Sequence, residues 1–182
     1  MKKSLVALSL GLAAGMVGTS ALANTGTINF EGKITASTCP IEIVNPEDGS
    51  IGNQVKMGSI EASRFTATGQ ELGGKGFALR VKGGAGCAIT PTSKANVTFN
   101  GAADPSGSYF AVTPTADGAK NVVLVLKDKT GASLAPGSAS ADYDLSASAP
   151  TDMRFDAYYR STAAAVTAGV ASADVQFVVD IK

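Results

Sequence analysis

The chain has 182 residues with 15 basic and 15 acidic side chains, and its 45% hydrophobic content suits a globular protein. It contains no histidine, which excludes Ser-His-Asp and Cys-His catalytic sites and histidine-based metal sites. No basic patch indicates nucleic-acid binding. We therefore expect no enzyme activity, no metal and no cofactor.

The N-terminal residues form a secretory signal peptide pattern. Lys2 and Lys3 precede an apolar run over 5–17, and Ala-Leu-Ala follows at 21–23, as at a signal peptidase site. A membrane anchor is the alternative, but the run is shorter than the roughly 20 residues that a spanning helix needs. Cleavage after residue 23 leaves 159 of the 182 residues, with 13 basic against 15 acidic side chains and a formal charge of −2.

The residues that follow the predicted cleavage site have the alternating pattern of a β-strand. Over 24–33, Gly26, Ile28 and Phe30 point to one face of an extended chain, while Thr25, Thr27 and Asn29 point to the other. Chain starts are usually polar and frayed, so a half-apolar strand here needs a surface to lie against.

Two cysteines, Cys39 and Cys87, are the only ones in the chain. An even count in a secreted protein predicts a disulfide. The loop it closes spans 48 residues, and the chain-entropy model assigns such a loop about 4 kcal/mol of stabilisation.

Short alternating apolar runs separated by Gly, Pro, Asn and Asp dominate the remaining chain and predict a β-sandwich or barrel. Helix patterns are almost absent, although 59–65 could form one helical turn. The segment 131–149 is expected to be an exposed loop or edge region. The predicted strands cover 27–37, 41–44, 55–60, 77–82, 96–100, 121–127, 153–159 and 174–181.

Two segments partly match the sequence motifs of ligand-binding sites. Residues 69–76 match a P-loop as far as Lys75, but Gly76 replaces the hydroxyl residue and a strand pattern follows, so a loop between strands is the better interpretation. Asp142 and Asp144 resemble the start of a calcium loop without its Gly and closing Glu, which favours solvated loop carboxylates.

The C-terminus repeats the pattern of the N-terminus. Val175, Phe177, Val179 and Ile181 share one face of a strand that stops at residue 182. By periodicity alone, the two terminal strands could be the first and last strands of one sandwich, paired with each other.

The order of residues over 24–182 resembles the type 1-like pilin subunits of bacterial fimbriae that the chaperone-usher pathway assembles. Phe155-Asp-Ala-Tyr-Tyr159 is similar to a strand motif of that family, and Gly169 stands fourteenth from the end, where the family carries a glycine. One residue departs from the pattern, since Ile181 replaces the usual penultimate Tyr. The other matching positions are 26–32, Cys39, 55–60, Phe65, Gly69, 77–81, Cys87, 97–101, Asp104, 123–131, Leu134 and Gly137.

The resemblance implies an immunoglobulin-like sandwich over 33–182 that lacks its last strand and is completed by donor-strand exchange. Residues 24–32 would be the donor strand, with Gly26, Ile28 and Phe30 entering the groove of an identical subunit. A periplasmic chaperone and an outer-membrane usher would be the assembly partners, with Gly169, Val175, Phe177, Val179 and Ile181 belonging to the groove and chaperone-binding strand.

The implied location is a cell-surface fimbrium reached through the periplasm. A major shaft subunit is favoured over a tip adhesin, because the family's tip adhesins carry an extra receptor-binding domain that 159 residues cannot hold. A minor or adaptor subunit is the alternative within the family, since that role depends on partner choice, and minor and tip subunits are further expected partners. The alternative function is a monomeric secreted β-sandwich that binds a carbohydrate or other ligand. Tyr109 and Phe110 are the aromatic pair considered for such a site, but a packing role suits them better.

Overall fold

The computed structural model describes residues 39–45, 47–83 and 87–182. The predicted signal peptide and the predicted strand at 27–37 lie outside the described residues. In chain order the strands are β1 (Ile41–Val44), β2 (Glu71–Val81), β3 (Lys94–Gly101), β4 (Phe110–Ala111), β5 (Val122–Lys127), β6 (Ser133–Leu134), β7 (Tyr143–Asp144), β8 (Thr151–Ser161) and β9 (Val175–Ile181).

These strands form two antiparallel sheets that pack face to face. The first sheet has the order β1-β2-β8-β5-β4, with β6 also paired to β5, and the second has the order β7-β3-β9. The described residues contain one short 3-10 helix, Ala62–Arg64, and no helix that could span a membrane. The all-β sandwich expected from the alternating pattern is confirmed.

Aromatic residues from both sheets form the centre of the core. Phe155 of β8 is 5.5 Å from Phe77 of β2 and 4.9 Å from Phe99 of β3, measured between ring centroids. All three rings are buried, and each lies on the inward face of its strand. Because side chains alternate between the two faces of a strand, the three strands each contribute one ring to the same part of the core. Edge-to-face and offset ring pairs of this kind add stabilisation beyond the buried area.

Tyr143 of β7 joins the second sheet to the first. Its ring lies 5.4 Å from Phe155, its hydroxyl donates to the Arg154 carbonyl at 2.6 Å, and the Lys129 backbone N–H donates to that hydroxyl at 3.1 Å. Burial raises the pKa of Tyr143 to about 12. The segment 131–149, expected to be an exposed loop or edge region, forms β6 and β7, and β7 is the last strand in the order of the second sheet. The segment also contributes the core residues Leu134, Tyr143 and Leu145.

The structure changes two sequence-based predictions around β2. Residues 55–60 are not a strand, although the single helical turn expected within 59–65 is confirmed by the 3-10 helix. Strand β2 begins at Glu71, six residues before the predicted start at 77, and it runs through the glycines at 73 and 74 with a register shift. A Cβ at Gly73 would overlap Ile60, so glycine lets the irregular segment before β2 lie across the strand.

The sandwich has two distinct ends. At the disulfide end, Cys39 is bonded to Cys87 as predicted, Ile41 is paired with Val81, and the backbones of Lys94 and Lys182 exchange two hydrogen bonds. At the opposite end, Gly101 is paired with Val175, the first residue of β9. Strand β9 therefore runs from the opposite end toward the disulfide end.

Candidate assembly groove

Strand β9 forms an edge of the second sheet in the described part of the chain. It pairs with β3 over its whole length, from Gly101↔Val175 to Ala95↔Ile181. Among residues 39–45, 47–83 and 87–182, no strand pairs with its second edge. Its predicted inward face is confirmed, because the four alternating apolar residues Val175, Phe177, Val179 and Ile181 all pack against the core.

Burial differs sharply between β9 and its neighbour. The core-facing residues Ala95, Val97 and Phe99 of β3 are 0%, 0% and 3% exposed, while the residues paired with them on β9 are only partly buried. The paired residues are equally apolar and occupy the same face of the same sheet. Within the described residues, β3 has a strand on each side and β9 has one only, and more apolar surface remains exposed along β9.

Strand β1 supplies the facing wall. In the described part of the chain it is the last strand in the order of the first sheet, with Val44 also bridged to Ile51, and its residues Ile41 and Ile43 pack partly buried against the same core. Tyr143 places β7 over β8 and the turn after β5. Since β9 lies on the other side of β3 from β7, it lies toward the β1 edge. We call the space between these two edges the assembly groove.

A cavity of about 330 Å³ opens beside β1. Its apolar lining includes Ile43, Val55 and Phe77, whose side chains belong to or pack against the core. Charged residues line it as well, among them Glu47 and Lys75, whose side chains form an exposed ion pair at 3.8 Å. A cavity with this lining can accept a large apolar side chain while its polar rim stays in water.

Gly169, predicted to belong with β9, lies six residues before that strand and packs elsewhere. A Cβ at Gly169 would overlap the backbone of Asp117, Gly118 and Ala119. The glycine therefore permits close contact between two loops, and the structure does not bring it to the core-facing side of β9. The predicted donor residues Gly26, Ile28 and Phe30 lie outside the described residues.

Sequence reasoning missed the β1 side of the groove. Ile41, Ile43 and Val55 were placed in predicted strands without a functional role. The available signal was the alternation of Ile41, Glu42 and Ile43 immediately after Cys39, which indicates a strand with one apolar face. Only the sheet order shows that this strand is the last of its sheet among the residues that the structure describes.

The outer face of the first sheet carries a set of ion pairs. Glu71 accepts from Lys127 Nζ at 2.6 Å and from Arg160 Nη1 at 3.0 Å, and Arg80 makes two contacts with Asp152, at 2.6 and 2.8 Å. Burial would raise the pKa of Glu71, but its bonds to Lys127 and Arg160 outweigh burial and hold that pKa below its usual value. The hydrogen bond from Arg80 likewise lowers the pKa of Asp152, despite burial.

These charges are matched to one another and do not form a catalytic arrangement. Across the described ranges, no group of three or more His, Cys, Asp or Glu side chains is positioned to hold a metal ion. Asp144 is largely exposed and lies 3.0 Å from Lys94 Nζ, while Asp142 lies 3.5 Å from Lys182 Nζ. Residues 71–76, at the end of the P-loop-like segment, belong to β2 and form no helix N-terminus for a phosphate.

Comparisons with known proteins agree with this geometry. Residues 28–182 match the family model described as "Fimbrial protein". The chain is 34% identical to the "Probable major fimbrial subunit LpfA" of Escherichia coli O157:H7, over 97% of this chain and 95% of that protein. It is 30% identical to the "Type-1 fimbrial protein, A chain" of Escherichia coli strain K12, over 98% and 94%.

Solved structures show a similar fold. A Burkholderia pseudomallei antigen and type I fimbria protein aligns with a TM-score of 0.56 at 27% identity, over 78% of this chain and 96% of that one. The P pilus rod subunit PapA aligns with a TM-score of 0.60 at 17% identity, over 79% and 99%. The second of these likenesses supports the fold alone.

Proposed function

Because this chain belongs to the fimbrial protein family, we propose that it builds the fimbria by donor-strand exchange between identical copies. The chain is a structural subunit of a surface fimbria, and its family is not an enzyme family. In the proposed mechanism, residues 24–32 of one copy lie in the assembly groove of the next. Donor and acceptor surfaces differ, so each contact is heterologous and the series extends as a fibre.

The single observation that supports this mechanism is the partial burial of the core-facing residues of β9 beside the full burial of the core-facing residues of β3. A strand added along the β9 edge would extend the second sheet by β-augmentation and cover Val175, Phe177, Val179 and Ile181. Each large apolar side chain that becomes buried contributes about 1.5–3 kcal/mol.

The donor pattern complements this groove. Ile28 and Phe30 would provide the apolar side chains that enter the groove, and Gly26 would let the backbones approach closely at one position. The cavity beside Ile43, Val55 and Phe77 has the size and lining to accept one of these side chains. Thr25, Thr27 and Asn29 would face solvent on the opposite side of the added strand.

Assembly in this mechanism requires help before polymerisation. A periplasmic chaperone would cover the groove beside β9, and an outer-membrane usher would exchange the chaperone for the next subunit, with minor or tip subunits as further partners. The signal peptide, residues 1–23, would be removed on export, leaving a single pilin domain over 24–182. Ile181, in place of the family's usual Tyr, keeps a large β-favouring residue on the core-facing side of β9.

The test uses variants of the donor segment expressed with the assembly machinery of the native host. Deletion of 24–32 is expected to abolish the ladder of high-mass species in unheated detergent gels. Ile28→Asp with Phe30→Asp should do the same, because charges cannot enter an apolar groove. The matched control, Thr27→Asp with Asn29→Asp, alters the opposite face and should retain the ladder.

A second experiment tests whether the groove accepts this strand. A copy of residues 24–32 joined by a short Gly/Ser linker after Lys182, in a chain that lacks its own N-terminal 24–32, should give a stable monomer. The proposal is wrong if the deletion variant polymerises as well as the native chain. It is also wrong if the appended strand fails to raise the thermal stability of the deletion variant.

A further inference from the structure

Two loops at the end of the sandwich opposite the disulfide form a ledge, which we define as residues 112–121 and 162–172. Backbone hydrogen bonds join them at several points: Lys120 and Thr167 exchange two, at 3.2 and 3.1 Å, and the Ala119 N–H donates to the Val170 carbonyl at 2.9 Å. Gly169 permits this close approach. Backbone hydrogen bonds therefore hold the two loops of the ledge together along their length.

The ledge carries an apolar side chain that its own loops do not cover. Val170 is 62% exposed, and it and Ile51 are the large hydrophobic residues identified as exposed in the described part of the chain. The backbone on both sides of Val170 is fixed, because its own N–H donates to the Asp117 carbonyl and the Ser172 carbonyl accepts from Thr113 at 2.7 Å. Because the backbone around Val170 is already fixed, packing this side chain against another surface would bury apolar area at little further cost in conformational entropy.

The ledge adjoins the start of β9. The Tyr159 hydroxyl donates to the Ala171 carbonyl, and Val175 begins β9 three residues after Ser172. The ledge thus lies at the end of the assembly groove that is farthest from the disulfide.

The direction of an added strand determines which part of a neighbour reaches this ledge. All the ladders between the described strands are antiparallel, and antiparallel pairing is slightly the more stable kind. A donor antiparallel to β9 begins beside Ile181 and ends beside Val175. The body of the donor copy then continues from the ledge end of the acceptor.

The distance between the two bodies is limited by the connecting chain. Seven residue steps separate residue 32 from Cys39, and an extended chain spans at most about 3.3–3.6 Å per residue, or roughly 25 Å here. Cys39 lies at the disulfide end of its own body, bonded to Cys87. The disulfide end of the donor copy therefore lies within roughly 25 Å of the ledge end of the acceptor, close enough for the two bodies to touch.

We propose that the ledge is a second contact between successive copies, in which Val170 packs against the disulfide end of the neighbour. The matching surface lies near the disulfide, where the apolar residues Pro40, Ala88 and Pro91 are exposed beside the polar residues Thr90 and Thr92. This inference rests on the proposed function and adds to it a contact between folded bodies, separate from the strand and its groove.

The test places a photo-crosslinking amino acid at position 170 of the full chain and induces fibre assembly in the native host. Irradiated fibres should yield products between the peptide containing residue 170 and peptides containing 39–41 or 87–92 of another copy. The same crosslinker at position 51, which is 61% exposed on a different loop, is the control and should not give those products.

A charge substitution gives an independent measurement. Val170→Asp should reduce the length or the amount of fibre at least several-fold, while Val170→Leu should leave both unchanged and the corresponding Ile51→Asp should have less effect. If native fibres form but crosslinks from position 170 map elsewhere or are absent, the ledge contact is wrong while the strand mechanism stands. If the native chain forms no detergent-resistant polymer, the proposed donor-strand mechanism is wrong, and the ledge contact that rests on it is wrong as well.

Discussion

Val97 and Val179 are paired in register across β3 and β9, yet Val97 is completely buried and Val179 only partly so. The two side chains are identical and face the same core. Their different exposure is the local sign of an edge that has a strand neighbour on one side only within the described residues.

The first prediction concerns the acceptor side of the groove. Val179→Asp places a charge on the core-facing side of β9 and should reduce polymer formation roughly tenfold to 100-fold, corresponding to the loss of about 1.5–3 kcal/mol of apolar burial. The matched control is Val178→Asp, one residue away on the opposite face, which should assemble far better. Densitometry of unheated detergent gels measures both, and equal loss in the two variants would contradict the assignment of the faces.

The second prediction concerns the aromatic centre of the core. Phe155 is 1% exposed and contacts rings from β2, β3 and β7, so Phe155→Ala should cost about 3–5 kcal/mol of the free energy of unfolding. Thermal unfolding of the purified protein measures the change. The neighbouring Arg154→Ala, at an exposed position, should change stability by less than about 0.5 kcal/mol. A Phe155→Ala protein as stable as the native one would show that these rings are not the core.

The third prediction concerns the disulfide. Replacing Cys39 and Cys87 together by serine removes a cross-link that closes a loop of 48 residues, and about 4 kcal/mol of stabilisation should be lost in the chain-entropy model. The variant should unfold at a lower temperature and should be cleared by proteases before assembly. Adding reductant should destabilise the native protein and leave the double variant unaffected, which separates the cross-link from other effects of the serines.

The fourth prediction concerns acid sensitivity at Asp128. Burial raises the pKa of this carboxylate, but the hydrogen bonds from Thr130 and from the Ala141 backbone outweigh burial and hold its pKa below the usual value. A lowered folded-state pKa contributes stability above the unfolded-state pKa of about 3.9, and that contribution is lost as the pH falls through the folded-state value.

Asp128→Asn should therefore destabilise the protein by about 1–3 kcal/mol at pH 7, because the amide cannot accept all of these bonds. The difference from the native protein should shrink as the pH falls below about 4, because the carboxylate is protonated first in the unfolded state and, at lower pH, in the folded state as well. Denaturant unfolding at pH 7 and pH 3 measures it, with the exposed Asp117→Asn as control. A difference that is constant with pH would mean that the charge of Asp128 contributes nothing.

Several features followed from the sequence because they are local. The alternation of Val175, Phe177, Val179 and Ile181 correctly predicted β9 and its inward face, since side chains on a strand have a period of two wherever the strand lies. The pairing of Cys39 with Cys87 followed from their number and from the secretory leader. The ordered match to the pilin pattern indicated the family that the comparisons show.

Other features depended on contacts between distant residues. The glycines at 73 and 74 suggested a loop, but pairing with β8 makes that segment part of β2, because hydrogen bonds to a neighbouring strand override a weak local preference. The sequence predicts an exposed loop or edge region over 131–149, and β7 does come last in the order of the second sheet, but the burial of Leu134, Tyr143 and Leu145 depends on contacts with distant strands. The close backbone contact between Gly169 and Gly118 could not be predicted either, because nothing in the sequence shows which loops lie against each other.

The sequence by itself determined which side chains on β1 and β9 are apolar and on which face of the strand each one lies. Only the tertiary structure decided that, among the described residues, these two strands come last in the order of their sheets and pack against the same core. The physical reason is that strand period is a property of consecutive residues, whereas an edge exists only once the order of all the strands has been established.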